Sequence, residues 1–261
     1  PIVPTGRALV WKGAPAPATT IAAAQRLAEA AHRRIRLIAP VSLCSGQIAR
    51  LAAERLTREN TDPSLSYVAL DHTEGCGVSR GPSEDLFVRL LLHYALHPLV
   101  ESCLFLEHGC EKTHNGEFRQ ALQACGESPE AFGWASVQLD GGADKVTQRI
   151  ADWFDAARPR VRQSAQPTIA FLGESAPAAD AQEPLRETVS ALLAAGVCPL
   201  FGLHDPWVAA LSPVIPRFLD SPTLAHGAAP RDLGIHLMEM PTARYEERLT
   251  GLIAGGALAA V

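Results

Sequence analysis

The chain has no run of apolar residues approaching the roughly 20 that a helix needs to cross a bilayer. Its opening, PIVPTGRALVWKG, has neither the basic end nor the apolar stretch of a secretory signal. A cytoplasmic location away from membranes is therefore expected. A basic run is missing too: 23 Lys and Arg stand against 28 Asp and Glu, for a net charge of -5. That balance argues against an electrostatic grip on nucleic acid and leaves small neutral or anionic ligands. Cysteine is sparse. Cys44, Cys76, Cys103, Cys110, Cys125 and Cys198 form no CxxC pair and no short-spaced framework, so thiols or metal ligands are expected in place of disulfides. Neither GxGxxG after the first expected strand nor GxxxxGK[ST] occurs, which argues against a nucleotide enzyme.

What is present is a rhythm. With 261 residues, 47% of them hydrophobic, the chain can bury a substantial core without disulfides or a structural metal. After Thr20, expected as an N-cap, IAAAQRLAEAAHRR places apolar residues at helical spacing, and IRLIAPVSL then switches to a short apolar run of the buried-strand kind. The switch recurs, predicting strands at 65–70, 102–107, 134–139, 168–172, 198–203, 234–238 and the terminal ALAAV. Helices fall between them, the stretch DPWVAALSPVIPRFL, 205–219, among them. Continuously apolar strands alternating with helices predict an α/β fold of mostly parallel sheets flanked by helices. Strand ends recur every 30 to 35 residues or so, about the length of a βαβ unit. AARPRVRQSAQPT, 156–168, breaks the pattern and reads as a linker. It divides the chain into two doubly wound, Rossmann-like halves, 1–160 and 161–261, with one continuous sheet as the alternative.

In open parallel sheets ligands bind beyond the carboxyl ends of the strands. The loops there read LCSGQ, DHTEGCG, EHGCEKTHNG, LDGGAD, LGESAP, LHDPW and MEMPT. Cys44, Cys76 and Cys110 follow three successive strands, and if those strands are neighbours, ~4.8 Å apart, the thiols converge. Such a set suits iron, an iron–sulfur cluster or zinc, with a position left for substrate. Cys103, Cys125 and Cys198 read as core residues, and His32, His93 and His97 as structural. His72 and Glu74 stand in the Cys76 loop, where Gly75 and Gly77 let the backbone approach a ligand, so His72 is a functional candidate. Glu111 and Lys112, beside Cys110, supply a general acid or base and an ammonium for a carboxylate. His108 and His114 belong to the same dense loop. Glu174, His204, Asp205 and Glu239 are the polar residues at the strand ends of the second half. A cysteine nucleophile assisted by His72 is a further alternative.

Together SLCSGQIAR, HTEGCG and EHGCEKTH resemble the D-galactarate dehydratase and altronate dehydratase family over roughly 40–160. That resemblance implies a hydro-lyase converting a sugar acid or related hydroxy acid to a 2-keto-3-deoxy product with iron or another divalent metal. Carried onto this chain, it marks Cys44, Cys76 and Cys110 as metal ligands and His72, Glu111 and Lys112 as catalytic. Glu74, His114 and Glu174 are expected to contact substrate. The family's cysteine-bearing loop after the linker is replaced here by LGESAP, and its small N-terminal domain is expected on a partner subunit. These departures leave open a non-catalytic or regulatory subunit that binds a small acid or a partner chain. Homo-oligomers are also expected.

Overall fold

The computed structural model describes residues 8–30, 34–76, 81–159, 166–215 and 223–260. Two compact units result, each with its own sheet: one takes residues 34–159, the other 8–30 together with 166–260. The two sheets are those of the two expected halves, and the alternative of one continuous sheet is set aside. Of the expected linker, 160–165 lies outside the described residues. The N-terminal helix α1 (Ala18–Ala30) belongs to the second unit and is described with it.

The first unit contains β1 (Arg34–Pro40), β2 (Leu65–Ala69), β3 (Val100–Glu107) and β4 (Gly133–Ser136), all parallel in the order β2-β1-β3-β4. Side chains alternate across the sheet with period two. Ile38, Leu104 and Leu106 therefore face α2 (Leu43–Glu59) and α5 (Ala143–Ala156), packing on Ala49, Ala52, Ala53, Leu56, Val146, Ile150 and Phe154. Leu37, Ala39, Cys103 and Phe105 face the opposite way, toward Leu91 and Leu92 of α3 (Pro82–Ala95) and Phe118 and Leu122 of α4 (Asn115–Ala124). Near the amino ends of the strands the buried carboxylate of Glu101 accepts from Arg36 Nε at 3.0 Å and Arg34 Nη1 at 3.4 Å. The carboxyl ends carry the loops. Because the chain runs from β1 outward to β2 and then crosses to β3 on the other side, the connections after β1 and β3 diverge and leave a crevice between them.

The second unit contains β5 (Thr168–Phe171), β6 (Cys198–Gly202), β7 (His236–Met238) and β8 (Ala257–Ala260), again all parallel, in the order β7-β6-β5-β8. Ile169 and Phe171 pack with Leu185, Val189 and Leu192 of α6 (Gln182–Ala194), while Ala170 and Leu200 pack with Leu252 of α8 (Tyr245–Ala254). Leu9 and Ala24 join the α6 side of this core. The N-terminal segment, expected with the first half, thus packs on the second. Thr20 is no cap: it lies inside α1 and its hydroxyl donates to Glu187 Oε1 on α6 at 2.6 Å. The helix expected over 205–219 is shorter, α7 (Pro206–Leu211). Ser212 still has helical backbone, and Pro213 after it has no N–H with which to carry the hydrogen bonds on. Residues 216–222 lie outside the described residues. Among those described, no helix is long and apolar enough to cross a membrane.

Candidate metal centre

The loops at the carboxyl ends of β1, β2 and β3 bring three sulfurs together. Cys44 Sγ lies 2.8 Å from Cys76 Sγ, and the sulfurs of Cys44, Cys76 and Cys110 all lie within 4.8 Å of one another, each exposed. Metal–sulfur bonds of about 2.3 Å in tetrahedral geometry set neighbouring sulfurs about 3.8 Å apart. Three sulfurs within 4.8 Å fit one coordination sphere after sub-ångström to ångström adjustments. The hydrogen bond to Cys76, then desolvation and the neighbouring thiols, push the Cys44 thiol up to about 12. In the metal-free protein Cys44 therefore keeps its proton, which a cation would displace. Cys44 sits on the second residue of α2, where the helix dipole favours a thiolate once a cation is bound.

The Cys76 loop is built onto the start of α2. Leu43 N–H, one of the amides a helix leaves unpaired at its first turn, donates to Glu74 O at 2.8 Å. Gly75 has φ of 97°, and a Cβ there would come within 2.6 Å of Val41 O and 2.8 Å of Ser42 Cα. No other residue permits so close an approach. His72 Nε2 faces Pro40 O at 2.8 Å and its Nδ1 accepts from Glu74 N–H at 3.2 Å. A carbonyl on one nitrogen and an amide on the other define the neutral Nε2–H tautomer. His72, packed edge-on to Phe87 at 4.9 Å, thus ties the loop to the end of β1, and no described hydrogen bond joins it to a thiol. Glu74 is exposed, its backbone serving both bonds.

The Cys110 loop is organised around Glu111, which is 2% exposed. Its Oε1 accepts from His108 N–H at 2.7 Å and from Ser42 Oγ at 3.0 Å, and its Oε2 from Gly109 N–H at 2.5 Å. Burial pushes this carboxyl up, but the backbone amides of Glu111, His108 and Gly109 and the Ser42 hydroxyl outweigh it, and the group is held below the ordinary carboxylate range. A carboxylate so occupied holds a loop. Beside it, His108 Nδ1 lies 3.3 Å from Cys110 Sγ and Lys112 is exposed. His114 is the N-cap of α4, its Nδ1 3.9 Å from Glu107 Oε2.

Ser42 is the residue that sequence reasoning passes over. It is fully buried at the N-cap of α2, yet its side chain caps nothing. Ser at an N-cap normally accepts from the first turn, and here the hydroxyl turns to Glu111 instead. The only signal in the sequence is its place before LCSGQ, where a cap is the ordinary reading.

In the second unit Glu174 and His204 are exposed in the loops after β5 and β6, and Glu239, exposed after β7, accepts from Thr223 Oγ1 at 3.0 Å. Asp205 is buried. Its Oδ2 accepts from Gly173 N–H at 2.9 Å and from Arg248 Nη2 at 2.6 Å, and its Oδ1 from Trp207 N–H at 2.9 Å. Burial pushes its carboxyl up against these bonds. The arrangement fastens the ends of β5 and β6 to α8 and leaves Asp205 no open lone pair aimed at solvent.

A family model described as D-galactarate dehydratase/Altronate hydrolase, second domain, matches residues 28–161, just over half of the chain and the whole of the three-thiol unit. No curated protein and no solved structure matches the chain.

Proposed function

The chain belongs to the D-galactarate dehydratase/altronate hydrolase family, and from that premise we propose that it is a metal-dependent hydro-lyase, removing water from a sugar acid or related hydroxy acid to give a 2-keto-3-deoxy product. The observation that carries the reading is the meeting of Cys44, Cys76 and Cys110 at the crevice between β1 and β3. Dehydrating a 2,3-dihydroxy acid requires loss of the proton beside the carboxylate and of the hydroxyl one carbon further on. Both steps are slow in water because neither the carbanion nor hydroxide is stabilised there. A divalent ion held by the three thiolates supplies Lewis acidity for the carboxylate and the departing oxygen. Iron is our assignment. Sulfurs that meet at one point support a single ion over an iron–sulfur cluster, which spreads its thiolates across several irons.

Around that ion the chain's own groups divide their work. Glu111 and His72 hold loops, so proton transfer falls to His108, beside Cys110, and Lys112 takes the substrate carboxylate. Glu74 and His114, exposed on the flanking loops, are assigned to the substrate hydroxyls. We place the protein in the cytoplasm, working with a small N-terminal-type subunit or as a homo-oligomer.

A second reading, a non-catalytic subunit that binds a small acid or a partner chain, is supported by the LGESAP loop at 172–177, which carries no thiol. The test is an anaerobic assay of the Fe(II)-loaded protein with galactarate and altronate, scored by mass spectrometry for loss of one water. Turnover abolished by Cys110→Ser supports the lyase. Binding of these acids without turnover, also after addition of a small-domain partner, supports the second reading.

A further inference from the structure

We infer that the Ser42–Glu111 hydrogen bond is a strut that holds the Cys110 loop against the start of α2, so that the three thiols stand in register before any ligand arrives. The inference rests on reading Cys44, Cys76 and Cys110 as one site. Each loop is otherwise fastened differently. The Cys76 loop is joined to the α2 start by Leu43 N–H to Glu74 O and by the close seat of Gly75 on Val41 and Ser42. The Cys110 loop has as its described side-chain tie to that point the 3.0 Å bond from Ser42 Oγ to Glu111 Oε1. Glu111 also gathers the amides of His108 and Gly109, so the backbone carrying Cys110 closes around the same carboxylate that Ser42 grips. Cys44 follows Ser42 by two residues and Cys110 precedes Glu111 by one. A single bond therefore fixes the spacing of two thiols that are 66 positions apart in the chain.

Both partners are built for this task. Ser42 and Glu111 are 0% and 2% exposed, so neither is held by solvent. The hydroxyl has been diverted from capping its own helix. Groups that orient ligands without touching the ion commonly govern affinity by ~10–100-fold. Ser42 and Glu111 are positioning residues in that sense.

The test uses the metal-free full chain and arsenite, As(OH)3, whose As(III) centre forms three As–S bonds with converging thiols and releases three waters. Ser42→Ala keeps the Cβ that packs near Gly75 and removes the hydroxyl, with its link to Glu111 and its 3.3 Å contact with Ser45 Oγ. Glu111→Gln keeps the shape but puts an amide NH2, which cannot accept, where amide donors point. Wild-type protein is expected to bind one arsenic and to shield all three thiols from alkylation. Both variants keep the far-UV spectrum of the wild type, Ser42→Ala melts somewhat lower because a buried carboxylate loses one donor, and both are expected to bind at least ~10-fold more weakly and to leave Cys110 open to alkylation. The double variant should lose no more than the weaker-binding single, because both remove one link. Wild-type arsenite affinity and full shielding in Ser42→Ala overturn the strut, as does failure of the wild type to engage three thiols. A parallel Co(II) titration separates the two readings: arsenite binding that depends on Ser42, with no Co(II) taken up by the wild type, upholds the strut and removes the metal reading.

Discussion

Cys44 Sγ and Cys76 Sγ lie 2.8 Å apart across 32 residues of chain. One sulfur comes from the first turn of α2 and the other from the loop after β2, and strand pairing of β1 with β2 sets them side by side. Cys110 reaches the same place because β1 also pairs with β3. The parallel order β2-β1-β3 thus does for these thiols what a CxxC spacing does in a zinc ribbon.

Removing one sulfur should cost ligand binding and little else. Because Cys44, Cys76 and Cys110 are exposed, a serine at any of them should leave the metal-free protein within about 0.5 kcal/mol of wild type. Affinity for a divalent ion should fall by more than the ~100-fold that indirect changes cost. Thermal unfolding of metal-free variants and chelator competition measure the two effects separately.

The pH profile has two limbs. The Cys44 thiol, ordinarily near 9.0, is pushed up to about 12. The fold therefore favours its protonated form, and the associated stability is whole below pH 9 and lost as pH climbs toward 12. Glu111 has the opposite sign: held below its ordinary 4.5, it stabilises above that pH and the contribution is lost as pH falls through its lowered value. Denaturant melts of the metal-free protein should show both losses. Cys44→Ser flattens the alkaline limb and Glu111→Gln the acid one, and unaltered limbs in these variants contradict the assignment.

Gly75→Ala should be the most damaging small change in the site. Its Cβ meets backbone atoms of Val41 and Ser42 at 2.6 and 2.8 Å at a φ of 97°, so the Cys76 loop must lift away. A stability loss of about 1–3 kcal/mol is expected, together with weakened metal binding. Gly116→Ala, with open space around it and no positive φ, is the matched control and should change neither.

In the second unit Arg248→Ala leaves the buried Asp205 carboxylate without its cation. Breaking such a pair costs about 3–5 kcal/mol, and the amides of Gly173 and Trp207 that remain on Asp205 place this case at about 3. Chemical denaturation checks the value. A loss under about 1 kcal/mol would show that the backbone donors alone hold the carboxylate.

The alternation of apolar strands and helices made nearly every element legible, because continuous runs such as SCLFLE are buried on both sides of a parallel sheet. Strand order was not legible. Nothing local in IRLIAP says that β2 and β3 pair on opposite sides of it, and the convergence of three thiols depends on that. Nor did residue type tell a reacting group from a scaffold. His72 and Glu111 have the chemistry of acids and bases, yet a carbonyl, several amides and a buried serine occupy their polar atoms. Ser42 went unseen because an N-cap serine is ordinary, and α1 was misplaced because the helix before β1 is sequence-adjacent to the first sheet but packs on α6.

The central claim is that three thiols from three strand ends hold one ion. Elemental analysis of protein purified without oxygen, alongside Cys110→Ser purified in the same way, tests it most directly. The account predicts close to one divalent metal per wild-type chain, iron foremost, and a fall toward zero in the variant. Less than ~0.2 metal per wild-type chain, or equal content in the variant, contradicts it, since a three-thiolate site binds tightly.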